Sequence, residues 1–243
     1  MKIPSEKELF QAGVHFGHKP SSWHPKMSDF IYGQKNNVHI IDLTQTKKHL
    51  ESALELIKTI AAEGKQILFV GTRMQSKKLI AKYAQEVHMP YINERWLGGT
   101  LTNFKTIYGL VKKLNQLEEQ AKGENYAKKY TKKERSEFAM EIERLNEMIG
   151  GIRNMHELPG AIFIASARYE KTAVSEANKK EVPSVAICDT NANPQKITHP
   201  IPANDDASKS IELIVSLIAE AIKEGTKGMS SRSAQGGEGS RNN

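Results

Sequence analysis

His15 and His18 stand three residues apart. Two histidines at that spacing on one helical turn could hold a metal ion between them. Asp189, His199 and Asp205 fall just beyond the expected carboxyl ends of strands, where open α/β sheets collect ligands. His18, Asp189 and Asp205 are the residues expected to supply a mixed imidazole–carboxylate site for a divalent cation of unassigned identity; no cofactor is expected to be required. The second chemistry is phosphate neutralisation. Lysine and arginine gather in four places: Lys19 and Lys26 near the N-terminus; Arg73, Lys77 and Lys78 at one turn; Arg95 and Lys105 around Trp96; and Lys128, Lys129, Lys132 and Lys133 in one polar stretch. Residues 122–135 hold six basic side chains against two acids. With 35 basic and 28 acidic residues, a net charge of +7 and a pI near 9.3, an anionic partner is expected, nucleic acid first.

Other chemistries are excluded. Cys188 is the only cysteine, which rules out an internal disulfide and a multi-thiolate zinc site. No G-x-G-x-x-G, Walker A, H-E-x-x-H or G-x-S-x-G motif is present. Gly71-Thr72-Arg73 follows a strand and opens a helix, so it could meet a phosphate, and it carries the alternative reading of a nucleotide-binding module or enzyme. No signal peptide pattern and no membrane-length apolar run is present, so a cytoplasmic protein without a membrane partner is expected.

These residues need elements to hold them. Short apolar runs at Val38–Ile41, Gln66–Val70, Tyr91–Asn93, Ala161–Ala165, Val182–Cys188 and Ile197–Ile201 alternate with helical patterns. One such pattern carries Leu50, Ala53, Leu54, Ile57, Ile60 and Ala61 on a single face, with Thr44 as its expected cap. A closing helix with Ile211, Ile214, Val215, Ile218 and Ile222 inward should be capped by Asp205 or Asp206. Alternating strands and helices imply an α/β fold with a mostly parallel sheet covered on both faces. Two apolar stripes interrupt the alternation: Phe104, Ile107, Val111, Leu114, Leu117 and Ala121, then Phe138, Ile142, Leu145, Ile149 and Ile152, spaced as a heptad seam. They predict an antiparallel coiled-coil hairpin, its second arm opened by a capping box at Thr131 and Glu134. The expected division is an α/β body over 1–102 and 156–224, a hairpin over 103–155 inserted in it, and a disordered tail over 225–243.

Arg95-Trp96-Leu97-Gly98-Gly99-Thr100-Leu101-Thr102-Asn103 joins body to hairpin. Its glycines permit unusual dihedrals. Its hydroxyls and amide can cap a helix, and Trp96 can plug the hairpin's base or stack on a nucleobase. This run resembles the bacterial small-subunit ribosomal protein S-two family. So do Ala12–His18, Trp23–Met27, Val38–Leu43, Phe69–Arg73, Gly150–Ile152, Leu158-Pro159, Glu176-Ala177, Asp189–Asn191 and Ile201–Asp206, and the resemblance spans about residues 5 to 225. It implies a flavodoxin-like body with a protruding hairpin and a place against small-subunit rRNA between head and body. It further implies neighbouring ribosomal proteins, including the mRNA-handling S-one protein that the family helps dock, and no homo-oligomer. Where the family often has Asp after the Ala161–Ala165 strand, this chain has Ser166.

Overall fold

The computed structural model describes residues 3–123 and 126–235, with side chains at 127, 128 and 229–235 outside the description. Glu124 and the last eight residues of the expected tail therefore lie outside it. After a short helix α1 (Glu6–Gln11), strands β1 (Ile31–Lys35) and β2 (Val38–Ile41) form an antiparallel hairpin. Asn36 and Asn37 make its turn with φ of 51° and 58°, a left-handed pair that asparagine tolerates and that matches strand twist. Strand β2 coincides with the apolar run at Val38–Ile41, whereas β1 matches no apolar run because Tyr32-Gly33-Gln34-Lys35 lacks a buried face.

Helix α2 (Leu43–Ala62) buries the expected stripe of Leu50, Ala53, Leu54, Ile57, Ile60 and Ala61. Its cap is Asp42, which accepts from the Thr44 amide at 2.8 Å; Thr44 stands one residue inside the helix instead. The main sheet follows: β3 (Ile67–Val70), β4 (Tyr91–Ile92), β5 (Ala161–Ile164), β6 (Ser184–Cys188) and β7 (His199–Pro202). Every neighbouring pair is parallel, in the spatial order β4-β3-β5-β6-β7. Counted within the sheet this is 2-1-3-4-5, the flavodoxin-like winding, whose direction reverses between β3 and β5.

Both faces are covered, which is why the strands read as unbroken apolar runs. Ile67, Phe69, Ala161, Phe163, Val185, Ile187 and Ile201 pack under α2, α3 (Lys77–Glu86) and α8 (Ser208–Gln235). Leu68, Val70, Ile162, Ile164, Ala186 and Cys188 point the other way, toward α7 (Lys171–Lys179), the residue 96–101 elbow and the base of the hairpin. Cys188 is fully buried, and burial pushes its thiol pKa upward, as suits a small core residue and no nucleophile.

The hairpin consists of α4 (Phe104–Lys122), a one-turn helix α5 (Tyr126–Lys129) and α6 (Lys132–Ile149). Its arms run in opposite directions: Tyr108 near the start of α4 meets His156 just past α6 at 3.1 Å, and Lys113 midway meets Glu141 at 2.8 Å. Ile107, Val111, Leu114, Leu145 and Ile149 are buried near the base, while Leu117 and Ile142 farther out are half-buried. The capping box forms as expected, with Thr131 and Glu134 each satisfying the other's backbone N–H. Helix α8 does not stop where the sequence reading begins a disordered tail. It passes through Gly225, which is buried, and runs to Gln235. The residue that looked like a terminator lies against α2: a Cβ there would come within 2.5 Å of the Lys58 carbonyl oxygen.

Candidate nucleic-acid interface and carboxyl-edge cluster

The elbow is built on one carboxylate that the sequence reading did not single out. Helix α7 carries Ala173, Val174 and Ala177 on its buried face, and Glu176 lies among them. Glu176 accepts from the Trp96 indole N–H (3.1 Å), the backbone amides of Gly99 (2.8 Å), Leu101 (3.0 Å) and Thr102 (3.1 Å), and the Thr102 hydroxyl (3.1 Å). Gly99 has φ of 95°, a backbone shape reserved in practice for glycine, and it is this turn that aims the three amides inward. Burial alone would raise the carboxyl pKa, but the converging donors hold it below the ordinary value, because they favour the charged form. Asn103, the residue before α4, makes no side-chain cap; Glu176 instead ties down the turn that leads into it. Trp96 is buried and holds the base of the hairpin, so the stacking role is corrected to a structural one.

The Gly71-Thr72-Arg73 turn is also occupied. The Thr72 amide and hydroxyl both donate to Glu170 at 2.8 Å. The Arg73 guanidinium donates to Asp205 at 3.4 Å and to Asp206, and lies 5.6 Å from the Tyr169 ring centroid. The Thr72 donors and the Arg73 guanidinium are thus engaged within the chain, which argues against Arg73 as a phosphate contact. Lys77 pairs with Glu94 at 3.1 Å. Lys19, Lys26, Lys78, Arg95, Lys105, Lys129, Lys132 and Lys133 are exposed, and the Lys128 side chain lies outside the description.

A basic surface that the sequence reading missed runs along α7. Arg168, Lys171, Lys179 and Lys196 line one groove of about 490 Å³ together with Ser175, Asn178 and Asn193, and no Asp or Glu lines it. All four cations are exposed and none forms an ion pair among the described residues. Sequence spacing could not assemble them, because Lys196 comes from the turn after β6 and meets α7 only in the folded chain. One signal was legible: Lys171 and Lys179 lie eight positions apart, on one side of a helix whose opposite side is apolar.

At the carboxyl edge the structure brings together His18, Asp189 and Asp205, with one donor atom of each within 4.8 Å of the others. Asp189 follows β6 and Asp205 follows β7, both nearly inaccessible to solvent. His18 arrives on the N-terminal loop, fixed by its amide to the Thr190 hydroxyl (2.8 Å) and by its carbonyl to the His39 amide (3.0 Å). Gly17 permits that approach, since a Cβ would meet Thr190 Cγ2 at 2.6 Å. Asp205 caps nothing; Asn204 accepts from the Asp206 and Ala207 amides at the start of α8 instead. Burial, with Asp189 beside it, pushes the Asp205 carboxyl up to about 6. Ser166 donates to Asp205. His15 and His199 stay apart. No helix joins His15 to His18; His15 stacks on Phe10 at 4.2 Å between centroids, and His199 lies 3.1 Å from the Ser52 hydroxyl.

The family model described as ribosomal protein S2 matches residues 9–225. The chain belongs to the ribosomal protein S2 family. It is 42% identical over 232 residues to the "Small ribosomal subunit protein uS2" of Salinispora arenicola, covering 96% of this chain and 83% of the relative. The like-named protein of Fusobacterium nucleatum is 43% identical, covering 94% and 93%, and that of Acidothermus cellulolyticus 44%, covering 93% and 82%. Members of this family are ribosomal structural proteins, and the chain is accordingly no enzyme.

Proposed function

We propose that the chain is a structural constituent of the small ribosomal subunit in the cytoplasm, held against small-subunit rRNA by phosphate neutralisation. The carrying observation is the acid-free groove of Arg168, Lys171, Lys179 and Lys196 along α7. Four unpaired cations around a concave surface suit a backbone of regularly spaced phosphates, and such contacts position a protein without reading sequence. Tyr169, 60% exposed beside Arg168, takes the base-stacking part that the buried Trp96 gives up. Lys129, Lys132 and Lys133 at the outer end of the hairpin supply a second, separate phosphate contact, and Arg95 and Lys105 a third at the elbow. In the same reading the chain occupies the region between head and body, is not a homo-oligomer, and helps dock the mRNA-handling S-one protein. Phe10, Phe16 and Tyr32, 60%, 49% and 82% exposed on the α1 and β1–β2 side, form the surface that suits a protein neighbour.

The test is co-sedimentation of the full chain with small subunits lacking it, across a salt series. Binding should weaken steeply as salt rises. Reversing Arg168, Lys171, Lys179 and Lys196 to glutamate together should lower occupancy at least about tenfold and flatten the salt slope by about 2–3. Unchanged occupancy and slope in that variant would contradict the groove's role.

A further inference from the structure

We propose that the groove along α7 seats one unpaired nucleotide of single-stranded or looped RNA, with the base on the groove's apolar floor and its flanking phosphates on the cations at the rim. The inference rests on the groove being the rRNA contact, and it names the form of RNA that the groove selects. Three observations carry it.

The first is where the cations stand. Lys171 and Lys179 lie on one side of α7, eight residues and so about 12 Å apart along its axis. Lys196 faces them from the single-turn helix Pro194–Lys196 after β6, and Arg168 joins from the turn before α7. The positive charge therefore comes from two walls with a recess between them. An A-form duplex offers a convex rank of phosphates, with its bases stacked inside, and would touch one wall. A flexible single strand can bend into the recess and meet both.

The second is the floor. Ala167, Val174 and Ile197 line the groove and belong to the core on that face of the sheet. A phosphate gains nothing from apolar atoms, whereas the face of a nucleobase does. The recess, about 490 Å³, falls in the range of about 300–1,000 Å³ over which proteins enclose small ligands.

The third is a pair of amides on opposite walls, Asn178 on α7 and Asn193 beside the single-turn helix. Asn178 Nδ2 donates to the Lys196 carbonyl at 2.8 Å, which leaves Oδ1 as an acceptor. Asn193 Oδ1 accepts from the Gln195 amide at 3.1 Å, which leaves Nδ2 as a donor. Each hydrogen bond fixes which end of its amide is free, so the groove presents one acceptor and one donor. An unpaired base displays the matching pair on its Watson–Crick and Hoogsteen edges, and in a duplex the first of those edges is taken.

The experiment measures fluorescence anisotropy of the full chain with three probes: a short RNA single strand, the same strand annealed to its complement, and a strand of equal length without bases. The single strand should bind at least about tenfold tighter than the duplex or the abasic strand, since base stacking alone contributes that much. Its log–log salt slope should be near −3, about −0.7 for each phosphate met by the four cations. Replacing Arg168, Lys171, Lys179 and Lys196 by glutamine together should lower strand binding at least about tenfold and erase the preference over duplex. Asn178→Ala, at an exposed position and with the fold checked by circular dichroism, should weaken the single strand about threefold and leave the abasic strand unchanged. Duplex or abasic strand bound as tightly as the single strand would overturn the proposal, as would a preference that survives the glutamine variant. If the preference fails while that variant still loses occupancy on small subunits, the proposal falls and the groove's role as an RNA contact stands; if occupancy is also unchanged, both fall.

Discussion

Two buried carboxylate sites in this chain meet opposite fates. Glu176 at the elbow receives five donors from one short turn, and its pKa falls. Asp205 at the carboxyl edge shares its space with Asp189, and its pKa climbs to about 6. Burial acts the same way on both, opposing the charged form; what differs is the number of N–H and O–H groups aimed at it. The lesson is one of role. A carboxylate whose acceptor capacity is filled by its own chain is a structural pin, with nothing left for a ligand. At the carboxyl edge the neighbouring Asp189 carboxylate joins burial in opposing ionisation of Asp205.

The comparison can be broken at the pin. Glu176→Ala strands three backbone amides, an indole N–H and a hydroxyl, and should destabilise the chain by about 3–5 kcal/mol; a loss below about 1 kcal/mol in denaturant unfolding would show the elbow to be held by packing alone. Glu176→Gln keeps the shape but turns an NH₂ toward donors, and should cost about 2 kcal/mol. That cost should depend on pH. Because the folded pKa is depressed, the stabilisation is present above the unfolded value near 4.3 and is lost as pH falls through the lower folded value. The gap between wild type and Glu176→Gln should therefore narrow on acidification below about pH 4, as read from paired unfolding curves at neutral and acid pH. Trp96→Phe removes one of the five donors and should cost about 1 kcal/mol, with crosslinking to RNA unchanged because the ring is buried. Asp189→Asn, measured in chelator, should have the smallest effect, under about 1 kcal/mol, because relief of like-charge repulsion offsets weakened hydrogen bonds. A loss as large as that of Glu176→Ala would mean the two sites are both pins.

Much of the fold was legible because its parallel strands must be apolar on both faces and its helices must carry one apolar stripe. Phe69, Phe163, Leu50 and Ile57 declare themselves that way. What escaped is what depends on meetings between distant segments. Asp42 rather than Thr44 caps α2, a two-residue shift that pattern does not resolve. Strand β1 escaped because its Tyr32 is exposed, leaving no period to read. Gly225 looked like a helix stop but is a helix–helix contact. His18, Asp189 and Asp205 were expected to meet, since strand ends converge at one edge of such a sheet, whereas Asp206 behind His18 and Glu176 beneath the elbow were not. The latter had a visible trace, a carboxylate on the apolar side of α7. The family-bearing run at Arg95–Asn103 is thus explained locally: its glycine, threonine and tryptophan are the shape and the donors that one glutamate requires. In the proposed function, RNA contact centres on the surface of α7, with Arg95 and Lys105 keeping a smaller share at the elbow.

Protein–RNA crosslinking on intact small subunits, mapped to residues on both sides, tests the central claim most directly. Crosslinks should concentrate on Arg168, Lys171, Lys179 and Lys196, with a second set on Lys129, Lys132 and Lys133 and none on Trp96 or Arg73. Crosslinks at Arg73 and Trp96 with a bare α7 groove would contradict the account.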